Sequence, residues 1–341
     1  MSSSRLRILL SGAALALTAG AVQAETLVVS WWGFNGEKLE ANVVKPFQEL
    51  CGCELVFETG NNGDRLNKVA ARGGAGVDVI FLADAFSQQG IDQGLFLEID
   101  KSKLSNIDAL YDLAKDPQGG YGPAYTIGRA GIVYDTAKVQ PVTSWSDLWR
   151  EDLKSSITLP GITTTAGPMV VVRAGAKAGV DAFADEDAAF AAVEELKANV
   201  VKNYNTGSEM VNLFSTGEVS VAVAQDFTMG QLKAAVPTLV WAELAEGDIA
   251  TVNTLNIPKG SQNVELAYKF IDFMLSKEVQ QIQAEQAVDA PVRTDVVLTA
   301  EQAAIWTYGA DVISKLQLVD YKAMVEKKAG WVDRWNEVFG M

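Results

Sequence analysis

Histidine is absent from the 341 residues. That single absence removes His-ligated zinc, Ser-His and Cys-His nucleophilic systems and the paired-histidine metalloprotease motif. Most hydrolase chemistries go with them. Positive charge is also short: 28 Lys and Arg stand against 43 Asp and Glu, a net charge of −15. A field of that sign repels phosphate backbones and anionic lipid headgroups, so nucleic acid is not an expected partner. No glycine-rich phosphate loop, no dinucleotide fingerprint after a strand, no nucleophile elbow and no calcium-loop spacing of carboxylates occurs. Residues 161–168 resemble a phosphate loop superficially but lack its lysine, and read as a turn entering a helix. No metal and no cofactor is expected.

What is present is an ordinary soluble composition, 48% apolar and 21% charged, with a length that suggests about two domains. Arg5 and Arg7 precede an apolar run over 8–17, and Val22-Gln23-Ala24 supplies small residues for signal-peptidase cleavage before Glu25. The run is shorter than the ~20 residues of a membrane span. Residues 1–24 are therefore expected to be a cleaved signal, leaving a periplasmic protein. In that oxidising compartment Cys51 and Cys53 are expected to form a structural bridge, with Gly52 supplying the tight backbone. The alternative, a metal or redox pair, lacks further ligands or a helix start.

Apolar runs at 27–32, 55–58 and 77–82 read as strands, separated by helical stretches. The first helix carries Leu39, Val43, Phe47 and Leu50 on one face, and the second covers 65–71 and stops at Gly73-Gly74. This alternation predicts an α/β first domain with a mostly parallel sheet. Further strands are expected at 131–134, 157–160, 219–224 and 250–255. Helices are expected near 144–149, 185–200, 264–276 and 320–339.

Aromatic and polar residues gather at the C-terminal ends of these strands, where open α/β sheets bind ligands. Trp31 and Trp32 end the first, Asp84 follows the third, and Gln225, Asp226, Phe227 and Asn253 end two later ones. Strand alternation allows only one of Trp31 and Trp32 to line a cleft, leaving the other for the core. Asp84 and Asp226 each have a second reading as helix caps.

In their order, Leu27-Val28-Val29-Ser30-Trp31-Trp32, Gly76-Val77-Asp78-Val79-Ile80-Phe81, Gly131-Ile132-Val133-Tyr134-Asp135, Thr143-Ser144-Trp145-Ser146-Asp147-Leu148 and the stretch from Ala267 to Ser276 make the chain resemble the periplasmic solute-binding proteins of ABC transporters. The likeness is to the spermidine/putrescine-binding branch. It implies a type II two-lobe fold, each lobe a mixed sheet flanked by helices, with ligand in the cleft. The expected lobes are 25–129 plus about 248–294, and 130–247 plus about 295–341. It implies a monomeric, non-catalytic receptor delivering its solute to a membrane-embedded permease.

The ligand-binding set expected from this reading is Trp31, Trp32, Asp84, Tyr125, Arg129, Gln225, Asp226, Phe227 and Asn253. Asn253 stands where that branch carries an acid. The loss of charge makes a gamma-aminobutyrate-like amino acid a competitor to a polyamine, its carboxylate held by Arg129 or Arg173. An interlobe salt bridge is the other reading of these arginines. Lesser alternatives are a ferric or anion receptor, for which only Tyr204 stands in the relevant stretch, and a hydrolase using Asp84 and Asp226 as paired acids.

Overall fold

A computed structural model describes residues 25–33 and 35–340. The signal-sequence reading of 1–24 falls outside the described residues. Nine strands form one curled mixed sheet: β1 (Thr26–Trp31), β2 (Glu54–Thr59), β3 (Val79–Ala83), β4 (Ala124–Asp135), β5 (Ile157–Pro160), β6 (Val200–Tyr204), β7 (Val221–Gln225), β8 (Leu239–Trp241) and β9 (Ile249–Asn256). The order is β2-β1-β3-β9-β4-β7-β5-β6, with β8 also pairing β4. β1 pairs β2 and β3 in parallel, and β5 pairs β6 and β7 in parallel. The middle departs from the mostly parallel expectation, because β9 lies antiparallel between β3 and β4, and β4 is antiparallel to β7.

The burial patterns explain these positions. β3 is buried along its whole length, as a central strand covered on both faces must be, whereas the edge strand β2 exposes several of its residues. Helices cover the faces. Asn62–Ala71 begins three residues ahead of its expected start and ends before Gly73, whose φ of +61° suits glycine. Ser144 closes a capping box on the short helix Trp145–Trp149, and Asp320 caps Tyr321–Phe339 through the N–H of Ala323. Leu50, expected on a buried face, is 69% exposed. A π-helical stretch over Glu40–Val44 breaks the 3.6-residue spacing on which that expectation rested. Cys51 and Cys53 are bridged, across Gly52 in the left-handed region at φ +65°.

Apolar side chains segregate into separate cores. One holds Leu27, Val29, Phe81, Ile127, Ala250 and Phe270; another holds Ala130, Ile132, Leu159, Ile249, Trp331 and Trp335. β4 passes from the first to the second between Ile127 and Ala130, and β9 passes between Ile249 and Ala250. Residues 295–316, expected with the second core, stay partly with the first: Ile313 and Leu316 pack there, and Met324 is the next buried residue to join the second. Among the described residues no helix is long and apolar enough to cross a membrane.

Candidate functional site

A cavity of about 350 Å³ opens between the two cores, within the range of small-molecule sites. Strand alternation decides what faces it. On β4, Thr126 and Gly128 line the wall while Ile127 and Arg129 point away, and on β9, Thr251 and Asn253 line it while Val252 does not. Trp32 enters as the first residue beyond β1. Asn61 and Asn62 come from the start of the helix that follows β2, and Gln225, Asp226 and Phe227 from the end of β7. Thr165, Trp306 and the segment Val288, Asp289 and Ala290 complete the wall.

The expected site residues divide accordingly. Trp32, Gln225, Asp226, Phe227 and Asn253 come together. Trp31 is a core residue, and Tyr125, 1% exposed, backs the cavity with its ring 6.0 Å from that of Trp32. Asp84 corrects its expectation: the carboxylate lies outside the cavity, accepting the N–H of Ala85 at 2.7 Å and of Val252 at 2.9 Å. The Tyr321 hydroxyl donates instead to the Ala250 carbonyl at 3.0 Å, and burial pushes the Asp84 carboxyl up to about 6. Asp84 is therefore a tie between β9 and the start of its own helix, Asp84–Asp92.

Arg129 turns to the opposite face, where it meets Asp248 at 3.0 Å and lies 5.0 Å from the centre of the Trp241 ring. The Trp241 indole donates to the same Asp248 oxygen. Arg173 is buried over the ring of Trp145, again outside the cavity. Neither arginine is placed to hold a ligand carboxylate there. Tyr204 donates its hydroxyl to the Val223 carbonyl, and no described group of three or more Cys, Asp or Glu is placed to hold a metal. The separation of Asp84 from the cavity also removes the paired-acid arrangement.

Asp226 is 4% exposed and well held. The Thr307 hydroxyl donates to it at 2.5 Å, and the backbone N–H groups of Arg129 and Phe227 add further bonds. Burial pushes its carboxyl upward, opposed by those bonds and by the Arg129 charge. Asp289 is different. Burial pushes it to about 7, with no hydrogen bond lowering it. Behind the Trp32 wall, Arg65 is buried yet spends its guanidinium on the carbonyls of Ser30, Gly60 and Phe81 and on Asn62. Its charge sits 5.6 Å from the Trp32 ring centre. The cavity wall thus combines three aromatic residues, two carboxylates and several neutral polar groups, with no Lys or Arg among its lining residues.

Asp289 and Trp306 were not found by sequence reasoning. They lie in irregular segments after the strands have ended, where strand-end placement gives no signal. Asn61 and Asn62 follow the C-terminal end of β2, so the same placement rule extends to them.

The profile of the family described as bacterial extracellular solute-binding protein matches residues 42–310. A spermidine/putrescine-binding periplasmic protein of Salmonella typhimurium is 26% identical over 291 residues, covering 82% of each chain. A crystal structure of an ABC transporter from Clostridium perfringens is 41% identical, covers 92% of this chain and 99% of that one, and superimposes with a TM-score of 0.84. A GABA receptor structure, 19% identical with a TM-score of 0.77 over 92% of this chain and 97% of that one, shares the fold. With its interlobe cavity and a profile match over most of its length, this chain belongs to the bacterial extracellular solute-binding protein family.

Proposed function

We propose that this chain is a periplasmic, non-catalytic receptor that binds a small ammonium-bearing solute and delivers it to the permease of an ABC importer. The carrying observation is Asp226, a buried carboxylate fixed at the end of β7 in a cavity walled by Trp32, Phe227 and Trp306. Ring faces and a carboxylate together stabilise a desolvated ammonium. The polyamine-binding relative supports the same solute class. The lobes of this reading are 25–129 plus about 248–316, and 130–247 plus about 319–340, and the protein acts as a monomer.

Calorimetry on residues 25–341 with putrescine, spermidine and gamma-aminobutyrate tests the reading. Asp226→Asn keeps the shape and deletes the charge, so it should weaken amine binding by about 30- to 1000-fold, on the order of 2–4 kcal/mol. Absence of binding to all three solutes refutes the amine reading, and recovery of a chemically altered ligand refutes the receptor.

A further inference from the structure

Resting on the amine reading above, we propose that Asp289 is a specificity-determining residue: it holds a second positive charge on the ligand and thereby selects a dication over a zwitterion of the same length. Three observations converge on it. The neighbouring Val288 and Ala290 are buried at 7% and 2% exposure, while Asp289, between them, is half-buried and contributes to the cavity wall with no hydrogen-bond partner among the described residues. Its lone pairs are therefore uncommitted, whereas Thr307 and two backbone N–H groups take three of the roughly four acceptor sites of Asp226 and leave about one for a ligand.

The segment carrying Asp289 is held in an unusual conformation. Ala287 has φ +55°, in the left-handed region that residues with a Cβ seldom adopt. Such strain persists where surrounding contacts impose it, often at ligand-binding positions.

The third observation is the character of this end of the cavity. Tyr125 stands behind Trp32 with its buried hydroxyl unpartnered, and the Asp289 charge acts on that phenol. The charged or titratable groups on this side are Asp226 in the same wall, the neutral phenol of Tyr125, Arg65, which is committed to backbone carbonyls and Asn62, and Lys38, whose ammonium donates to the Gln286 carbonyl and borders Asp226 and Ala287 from outside the cavity. A ligand carboxylate entering here meets two acids in a wall with no Lys or Arg among its lining residues, and the nearby Lys38 is engaged by the Gln286 carbonyl. A second ammonium meets a half-buried carboxylate that no described hydrogen bond engages. Burial raises Asp289 to about 7, so engaging an ammonium near neutral pH expels the proton that the carboxyl partly retains.

The experiment compares 1,4-diaminobutane, 1-aminobutane and 4-aminobutyrate on the parent protein, Asp289→Asn and Asp226→Asn, by calorimetry at pH 7. The parent should prefer the diamine to the monoamine by about 10- to 100-fold. Asp289→Asn should erase that preference without weakening the monoamine, whereas Asp226→Asn should weaken both amines. Repeating the titrations in buffers of different ionisation enthalpy should show about half a proton released per diamine bound to the parent, and none from Asp289 in the variant. A diamine affinity unchanged in Asp289→Asn, equal losses for diamine and monoamine in that variant, or tighter binding of 4-aminobutyrate by the parent overturns the proposal. Those outcomes leave the amine reading intact if Asp226→Asn still weakens amines, while failure of the parent to bind any amine removes both.

Discussion

Gly128 offers a way to move the Asp226 carboxylate without touching its chemistry. A Cβ added there would lie 2.6 Å from Asp226 Oδ1 and 2.9 Å from Thr251 Oγ1. Carbon–oxygen contacts settle at about 3.3 Å or more, so the carboxylate would have to retreat by about 0.7 Å. It has little room, because Thr307 holds Oδ2 at 2.5 Å. Gly128→Ala should therefore compress or break that bond, with overpacking costing about 1–3 kcal/mol of stability. Lower entropy of the unfolded chain returns about 0.4–1 kcal/mol of it. Misplacing one charge-assisted contact costs about 1.5–3 kcal/mol of binding, or roughly 10- to 100-fold in affinity. The assay is amine titration alongside thermal melting, with Gly230→Ala as control: nothing lies within 4 Å of that added methyl, on the helix Met229–Ala235. The control should bind normally and melt slightly higher, by up to about 1 kcal/mol of stability. Parental affinity in Gly128→Ala would refute the placement of Asp226 as the fixed ammonium acceptor.

Asp289 also predicts a pH-dependent stability. Its folded value, about 7, lies above the ordinary carboxylate range, so ionisation favours the unfolded chain, and ligand-free stability falls as pH rises from about 4 to about 7. The difference is at most about 4 kcal/mol; Asp289→Asn should melt higher than the parent at pH 8, with the two converging near pH 4. Equal melting temperatures across that series would show that the carboxylate is well solvated. In the second core, Trp331 is fully buried, stacks 5.4 Å from Phe183 and donates its indole N–H to Glu186 at 2.8 Å. Trp331→Ala should cost about 3–5 kcal/mol in urea denaturation, and a loss below about 1 kcal/mol would show that the C-terminal helix contributes little to this core.

Much of the strand pattern was legible because apolar runs such as Val79–Ala83 encode burial directly. Trp31 and Trp32 were separable for a similarly local reason, the alternation of a strand. The antiparallel insertion of β9 was not legible, since pairing direction is settled by partners distant in sequence: Phe81 pairs with Leu255. Asp84 misled because an acid following a strand serves equally as ligand anchor and as acceptor for a neighbouring strand, and only the approach of Val252 distinguishes them. The reading of Asn253 as a loss of charge was incomplete in the same way. A second carboxylate reaches the cavity from Asp289, beyond the helix Lys277–Glu285 and outside any strand-end pattern.

The two strands that pass between the cores are bonded to each other where they pass, with Gly128 opposite Thr251, Arg129 opposite Ala250 and Ala130 opposite Ile249. Mechanically this is a leaf spring rather than a pair of independent tethers. Sliding one core past the other would shear ladder hydrogen bonds at about 1 kcal/mol each, whereas bending or twisting the ribbon keeps them. Rotation is accordingly the compliant coordinate. The salt bridge of Arg129 with Asp248 lies on one side of this spring and Asp226 on the other, so flexure changes the spacing of charges on both faces at once.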